Sequence, residues 1–234
     1  MLSDQQNSSD ENLSIQQCKN CLNEVNGDYC STCGQRKIEF TFKHVVDNLS
    51  EGIEFKRGLL YNLKELTFNP GKAIMEYMEG KTRPFLNPVS YSLLIITGLF
   101  LTGERFKNAI GAIETPYLVH YLIFTFPMMY GLGSFLAYIK KGYNYTQHFI
   151  LSLFVTSHFI LLIVIPNLYL EVNWMIIASL YLLYTVWVYQ LIFREHLVAT
   201  ITNQFTILIQ ALFFEAIFVA LSMAIWFPIS LIFE

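Results

Sequence analysis

Four cysteines, Cys18, Cys21, Cys30 and Cys33, are the residues whose types and spacing point most directly to chemistry. They follow the pattern C-x2-C-x8-C-x2-C. Each C-x2-C pair makes a tight turn that aims two thiolates at one point, and four thiolates suit a tetrahedral zinc ion. Gly34 follows the last cysteine, where a knuckle needs backbone free of a side chain. Asn26-Gly27 reads as the hairpin turn between the two knuckles. Residues 15–37 are too few for an apolar core, so the metal must supply much of the folding energy. Free or redox thiols, or iron ligands, are the alternative readings, and the paired knuckles with their glycine favour zinc. Four protein thiolates leave no position for water, so the expected Zn2+ is structural and not catalytic. Lys19, Arg36 and Lys37 are offset by Glu24, Asp28 and Glu39. No basic stripe forms, and no nucleic-acid partner is expected.

A second set of chemistry-bearing residues lies in apolar surroundings. Glu215 sits between Ala211-Leu212-Phe213-Phe214 and Ala216-Ile217-Phe218-Val219. A carboxylate inside hydrocarbon needs a partner, a wet cavity or a proton. His158, Gln190 and Gln210 are further polar residues for a bundle interior, and Arg194, Glu195 and His196 crowd the end of one apolar run. One reading makes Glu215 and His158 a polar site for protons, ions or a head group. The other makes these side chains hydrogen-bond across helices to fix packing. There is no Gly-rich phosphate loop, no His-Glu-x-x-His and no nucleophile elbow, so no catalytic residue is nominated and enzymatic activity stays open.

The elements that position these residues follow from charge and hydropathy. Hydrophobic residues make up 54% of the 234-residue chain, and the mean hydropathy is +0.42. Residues 84–234 hold only eleven charged side chains, too little polar surface for a soluble core. Five apolar runs, 84–103, 116–139, 149–170, 174–193 and 205–233, approach the roughly 20 residues a crossing helix needs. The first is weakened by Asn87 and Pro88, and Pro228 offers a break in the last. Residues 1–14 are polar and acidic, too poor in apolar groups to offset their ordering, and are expected to be disordered. Met1–Asn12 has neither a basic nor an apolar region, so no secretory signal is expected. Residues 38–83 read as amphipathic helices: one from Phe42 capped by Thr41, one over Phe55–Leu66, and one over Pro70–Glu79. The link Glu104–Ile113 has Phe106, Ile110 and Ile113 at helical spacing and reads as a short interfacial helix. Lys72, Lys81 and Arg83 suit contact with an anionic membrane surface. The apolar faces equally suit packing on the zinc module or on the bundle.

The expected fold class is therefore an all-α integral membrane protein. It has about five transmembrane helices, a small N-terminal zinc-ribbon-like module and amphipathic linking helices. With the N-terminus inside, the inner flanks hold Lys72, Lys81, Arg83, Lys140, Lys141 and Arg194, and the outer flanks only Arg105 and Lys107. The positive-inside rule then puts the N-terminus in the cytoplasm, in a multi-pass protein of the inner membrane. A reducing compartment also keeps thiolates available for metal.

The runs CKNCLNEVNGDYCSTCGQRK and FNPGKAIMEYMEGKTRPFLNPVSY resemble a family of bacterial membrane proteins of unknown function, frequent in Bacteroidota (domain of unknown function 3667). The matching positions are Cys18, Cys21, Gly27, Tyr29, Cys30, Cys33, Gly34 and Gln35, then Pro70, Gly71, Tyr77, Gly80, Lys81, Arg83, Pro84 and Pro88. The resemblance implies a four-cysteine module ahead of an aromatic-rich helical membrane domain, and brings no settled activity.

Three functions are weighed. The first is a membrane-embedded scaffold or assembly protein whose cytoplasmic zinc module docks a protein partner or braces the first helices. The second is a transporter or channel subunit with a polar site near Glu215 and His158. Five spans are few for a complete transporter, so that reading calls for a homo-oligomer. The third is a membrane enzyme acting on lipid or head groups.

Overall fold

The computed structural model describes residues 16–25, 27–37, 41, 55–102, 116–170 and 173–230. The expected tail over 1–14, the helix from Phe42 and the interfacial helix over Glu104–Ile113 lie outside the described residues, as does Asn26 of the expected turn. Two small strands, β1 (Gln16–Gln17) and β2 (Glu24–Val25), pair antiparallel. Among the described residues eight α-helical segments follow: α1 (Phe55–Phe68), α2 (Pro70–Met78), α3 (Pro88–Leu101), α4 (Pro116–Ala137), α5 (Tyr145–Phe159), α6 (Ile165–Leu170), α7 (Trp174–Phe193) and α8 (Leu197–Ser230). A π-helical turn over Ile160–Val164 joins α5 to α6, so Tyr145–Leu170 runs as one continuous rod.

The protein is mostly helical, and among the described residues three helices are long and apolar enough to cross a membrane: Tyr145–Leu170, Met175–Phe193 and Leu197–Leu221. α3 is shorter than its apolar run. Asn87 Oδ1 accepts from the Val89 N–H and fixes the helix start at Pro88. Its 14 residues reach about 21 Å, short of the roughly 30 Å hydrocarbon layer, so a crossing here needs flanking residues or a locally thinned bilayer. The last helix instead begins at Leu197, eight residues before its apolar run. Its first turns carry Thr200, Thr202, Asn203, Gln204 and Thr206, and the hydroxyls of Thr200, Thr202 and Thr206 bond back to carbonyls four residues earlier. Pro228 does not end this helix, which continues to Ser230.

α5 is the central helix. His148–Phe159 is buried without interruption, and α1, α2, α3, α4 and α7 all pack on it. Close approach is set by glycine in α4. A Cβ on Gly131 would lie 3.0 Å from the Phe149 Cα of α5, and one on Gly133 would lie 3.0 Å from the Ile207 carbonyl of α8. The apolar face of α2 (Ala73, Ile74, Tyr77, Met78) is buried against the bundle, with Gly71 against Leu191 of α7. Lys72, at 74% side-chain exposure, points the other way. An aromatic knot of Tyr61, Tyr77, Phe85 and Phe154 ties α1, α2 and α5 to the loop before α3, with ring centroids 4.9–6.3 Å apart.

Candidate metal centre and buried polar clusters

The cysteine module is built from two copies of one turn. Leu22 N–H donates to the Cys18 carbonyl (2.9 Å), and Gly34 N–H donates to the Cys30 carbonyl (2.7 Å). Cys18 N–H donates to the Asn23 carbonyl, and Cys30 N–H to the Gln35 carbonyl, both at 2.8 Å. β1 and β2 flank the first turn, and an isolated bridge between Tyr29 and Arg36 flanks the second. Gly27 lies between these two hairpins. The residue after each C-x2-C has positive φ, +64° at Leu22 and +70° at Gly34.

The thiols converge as this geometry requires. Cys18 Sγ is 3.6 Å from Cys33 Sγ, Cys21 Sγ is 3.5 Å from Cys30 Sγ, and all four sulfurs lie within 4.8 Å of one another. No disulfide joins them. A tetrahedral ion with metal–sulfur bonds of about 2.3 Å would set its thiolates about 3.8 Å apart, so the donor set fits a four-thiolate metal. Backbone N–H groups of the second turn, Cys33 first and Thr32 as well, pull the Cys30 thiol down to about 6, against the desolvation that opposes ionisation.

Leu22 is a non-glycine residue in left-handed backbone and is 71% exposed. The expected cost is about 1 kcal/mol relative to glycine. Leu22→Gly should therefore raise apparent metal affinity roughly five-fold, read by competition with a chromophoric chelator. Unchanged or weaker binding would mean that the side chain itself supports the turn.

The module is fastened to the helical part through Gln35, which is buried at 4% exposure. Its Nε2 donates to Thr82 Oγ1 (3.0 Å) and to the Arg36 carbonyl (2.8 Å), and its Oε1 accepts from the Arg83 N–H (2.9 Å). The Arg83 guanidinium lies over Gly34, in space a Cβ would take. Lys81 bonds Glu76 at 2.8 Å, and that bond holds the Lys81 ammonium above its ordinary pKa. Lys72 lies 3.9 Å from the same carboxylate.

The intramembrane residues divide. His158 is fully buried and fully used. Tyr91 Oη lies 2.7 Å from Nδ1, and Thr67 Oγ1 lies 3.1 Å from Nε2. Thr67 donates its proton to the Leu63 carbonyl, so it accepts from Nε2–H, which leaves Nδ1 to accept from Tyr91. The ring thus pins α1, α3 and α5. Glu215, 5% exposed, accepts from Thr125 of α4 through Oε1, and its Oε2 has no partner. His158 and Glu215 share no partner. Gln210 has an unpartnered buried Oε1. Gln190 is half-buried, and its carbonyl takes the Arg194 N–H that caps α7. Glu195 meets Lys141 at 3.0 Å and Asn203 Nδ2 at 3.0 Å, while Arg194 and His196 are exposed.

Two features escaped the sequence. Asn62 of α1, fully buried, clamps both backbone groups of Leu86: Nδ2 donates to its carbonyl (3.1 Å) and Oδ1 accepts its N–H (3.2 Å). Ser134 Oγ lies 2.8 Å from His148 Nδ1 and accepts from Tyr189 Oη at 2.9 Å. The first had no local signal. The second had a partial one, because Asn144 and Gln147 form a capping box that places the start of α5 and so the facing of His148.

The class defined by these observations is a helical protein with helices long and apolar enough to cross a membrane and a four-cysteine cluster able to hold a metal. A family model described as "Protein of unknown function (DUF3667)" matches residues 57–101, the stretch from the first turn of α1 to the end of α3. The match supports similarity to that uncharacterised family and includes the Asn62–Leu86 clamp. No curated protein and no solved structure matches the chain.

Proposed function

We propose that the chain is a scaffold or assembly protein of the bacterial inner membrane, with about five spans and a cytoplasmic zinc module that braces the bundle and docks a protein partner. The observation that carries this reading is the Gln35 fastening. A metal-held turn grips the loop between α2 and α3 through two hydrogen bonds, to Thr82 and Arg83, and so fixes the entry to the membrane helices. The orientation rests on charge. Gly71 against Leu191, Gln147 Nε2 on the Met78 carbonyl and Lys141 on the Phe193 carbonyl gather Lys72, Lys81, Arg83, Lys140, Lys141 and Arg194 toward one end. Leu22 and Tyr29, at 71% and 55% exposure, are the apolar surface the module offers a partner, and Arg36 lies 5.8 Å over the Tyr29 ring. Lys72, exposed on α2, then faces the anionic leaflet.

Gln35→Ala tests the brace. The variant should keep its metal, because Gln35 contributes no sulfur, yet lose side-chain bonds that together hold on the order of 2 kcal/mol. Trypsin cleavage after Lys81 in the metal-loaded protein should quicken at least ten-fold. Wild-type protection in the variant would remove the brace from the reading.

One observation favours transport as a second reading, the unpartnered Glu215 Oε2 deep in α8. A scaffold predicts that Glu215→Leu folds and leaves vesicle permeability unchanged, since apolar replacement of a buried charge is often neutral. A proton or cation flux in wild-type proteoliposomes that Glu215→Gln abolishes would select transport instead.

A further inference from the structure

The ends of α4, α5 and α7 and the second turn of α8 enclose a cluster of buried hydrogen-bond donors. Tyr130 Oη donates to Gln204 Oε1 at 2.5 Å, which leaves the Gln204 amide nitrogen without a partner. Tyr189 Oη donates to Ser134 Oγ, and the hydroxyl proton of Ser134 then has His148 Nδ1 at 2.8 Å. The arrangement that uses every proton puts the remaining ring hydrogen on His148 Nε2, and that atom also has no partner. Tyr138 Oη is the third unpartnered atom. Tyr138, His148 and Gln204 are each at least 99% buried. They share one neighbourhood. The Phe193 ring stacks on Tyr138 at 4.0 Å and runs parallel to His148 at 5.8 Å, and the Tyr189 ring lies 5.7 Å from Tyr138 and 6.3 Å from Tyr130, which holds Gln204.

The cluster has donors in excess: Gln204 Nε2 and His148 Nε2 offer three protons and Tyr138 a fourth, while the Tyr138 oxygen is the one acceptor among the three unpartnered atoms. Gln204 Oε1 holds Tyr130, the Phe193 carbonyl holds Lys141, and Glu195 holds Lys141 and Asn203. A water guest brings two protons that need acceptors of their own, whereas an acceptor-only group completes the set. Lys141 stands at the rim, with Lys140 beside it and Tyr143 over His148 and Phe193. In a membrane, these helix ends lie near the phosphate and glycerol layer.

We propose that Tyr138, His148 and Gln204 form a binding site for phosphate oxygens at the end of the bundle that carries Lys141, supplied by a phospholipid head group or by free phosphate. This site does not depend on the scaffold reading or on the metal module.

The test uses the full chain in dodecyl maltoside, which carries no phosphate. It is titrated in one arm with short-chain phosphatidylglycerol and in the other with inorganic phosphate, with thermal unfolding as the readout. A melting temperature that rises by several degrees with lipid alone assigns the site to head groups, and a rise with phosphate assigns it to the free ion. No shift in either arm means the donors hold water only, and overturns the proposal. Tyr138→Phe removes one unpartnered hydroxyl, so the ligand-free variant should melt no lower than wild type while needing at least ten-fold more ligand for the half-maximal shift. Gln204→Glu keeps an oxygen for Tyr130 but turns a donor into a negative acceptor, and should abolish the shift. If Tyr138→Phe lowers the ligand-free melting temperature and leaves the ligand response intact, its hydroxyl is structural and the site is wrongly assigned.

Discussion

Cys30→Ala with Cys33→Ala should empty the metal site and unfold the module. The purified wild-type chain is expected to carry one zinc per molecule, and the double variant none, by elemental analysis. This is the largest single effect the structure implies. β1 and β2 are two residues each, and Cys18 and Cys30 are the apolar side chains buried in the module. Such a unit has almost no core, and structural zinc in comparable small units contributes about 10–16 kcal/mol of apparent binding energy at neutral pH. Two remaining thiolates cannot close a tetrahedron. The consequence should reach the helices, because Gln35 lies two residues beyond Cys33 and its carbonyl closes the second turn through Cys30 N–H. Losing that turn frees Gln35 from Thr82 and Arg83. Trypsin sensitivity after Lys81 should therefore rise in the double variant as it does in Gln35→Ala, this time with the metal gone. Full zinc occupancy in the double variant would refute the ligand assignment. Zinc loss without a change in cleavage after Lys81 would keep the ligands and refute the coupling.

How much of this was legible in the sequence depends on how local each signal is. The cysteine cluster was legible because its geometry is carried by spacing: two residues within each turn, eight between them. α7 was legible to the residue at both ends, because the apolar run Trp174–Phe193 is bounded by Asn173, whose side chain caps the Met175 N–H, and by Arg194 in left-handed backbone. The start of α8 was not, because hydropathy scores Thr200, Asn203, Gln204 and Thr206 as polar while their backbone conformation is set by tertiary packing and by hydroxyls folded back on the helix. Glu215 was legible as a buried carboxylate, but its partner Thr125 lies ninety positions away on α4. Gln35 stood among the family-like positions with no role attached, because its role is a contact across 47 residues. Ser134 inside one apolar run and His148 just before the next are ordinary residues until the Gly131 contact brings α4 against α5.

Asn62→Leu should destabilise the helical part by about 2–5 kcal/mol, although leucine is close in volume and the site is fully buried. On α1 this asparagine reads as one polar position of an amphipathic helix. In the fold it stands in for a strand partner, giving Leu86 one donor and one acceptor. Leucine would strand the Leu86 N–H and carbonyl together, in a residue only 1% exposed, and each stranded buried group costs roughly 1–3 kcal/mol. Gly58, one turn earlier, serves the same contact. A Cβ there would meet the Leu86 nitrogen at 2.9 Å and its Cα at 3.1 Å, both backbone atoms that cannot rotate away. Gly58→Ala should thus destabilise by about 1–3 kcal/mol from overpacking, even after the roughly 1 kcal/mol that alanine adds to an exposed helix. Both changes act on the three residues Phe85, Leu86 and Asn87 that hold the start of α3, and Phe85 is the ring around which Tyr61, Tyr77 and Phe154 gather. The two sites are neighbours on one contact, so their effects should fall short of additive. Unfolding by heat or sodium dodecyl sulfate in mixed micelles reads the result. Asn62→Asp is the sharper control, because it keeps the acceptor for Leu86 N–H and loses only the donor. If Asn62→Leu unfolds with wild-type stability, the clamp is not what holds α3 in place, and the aromatic knot alone must carry the entry to the membrane helices.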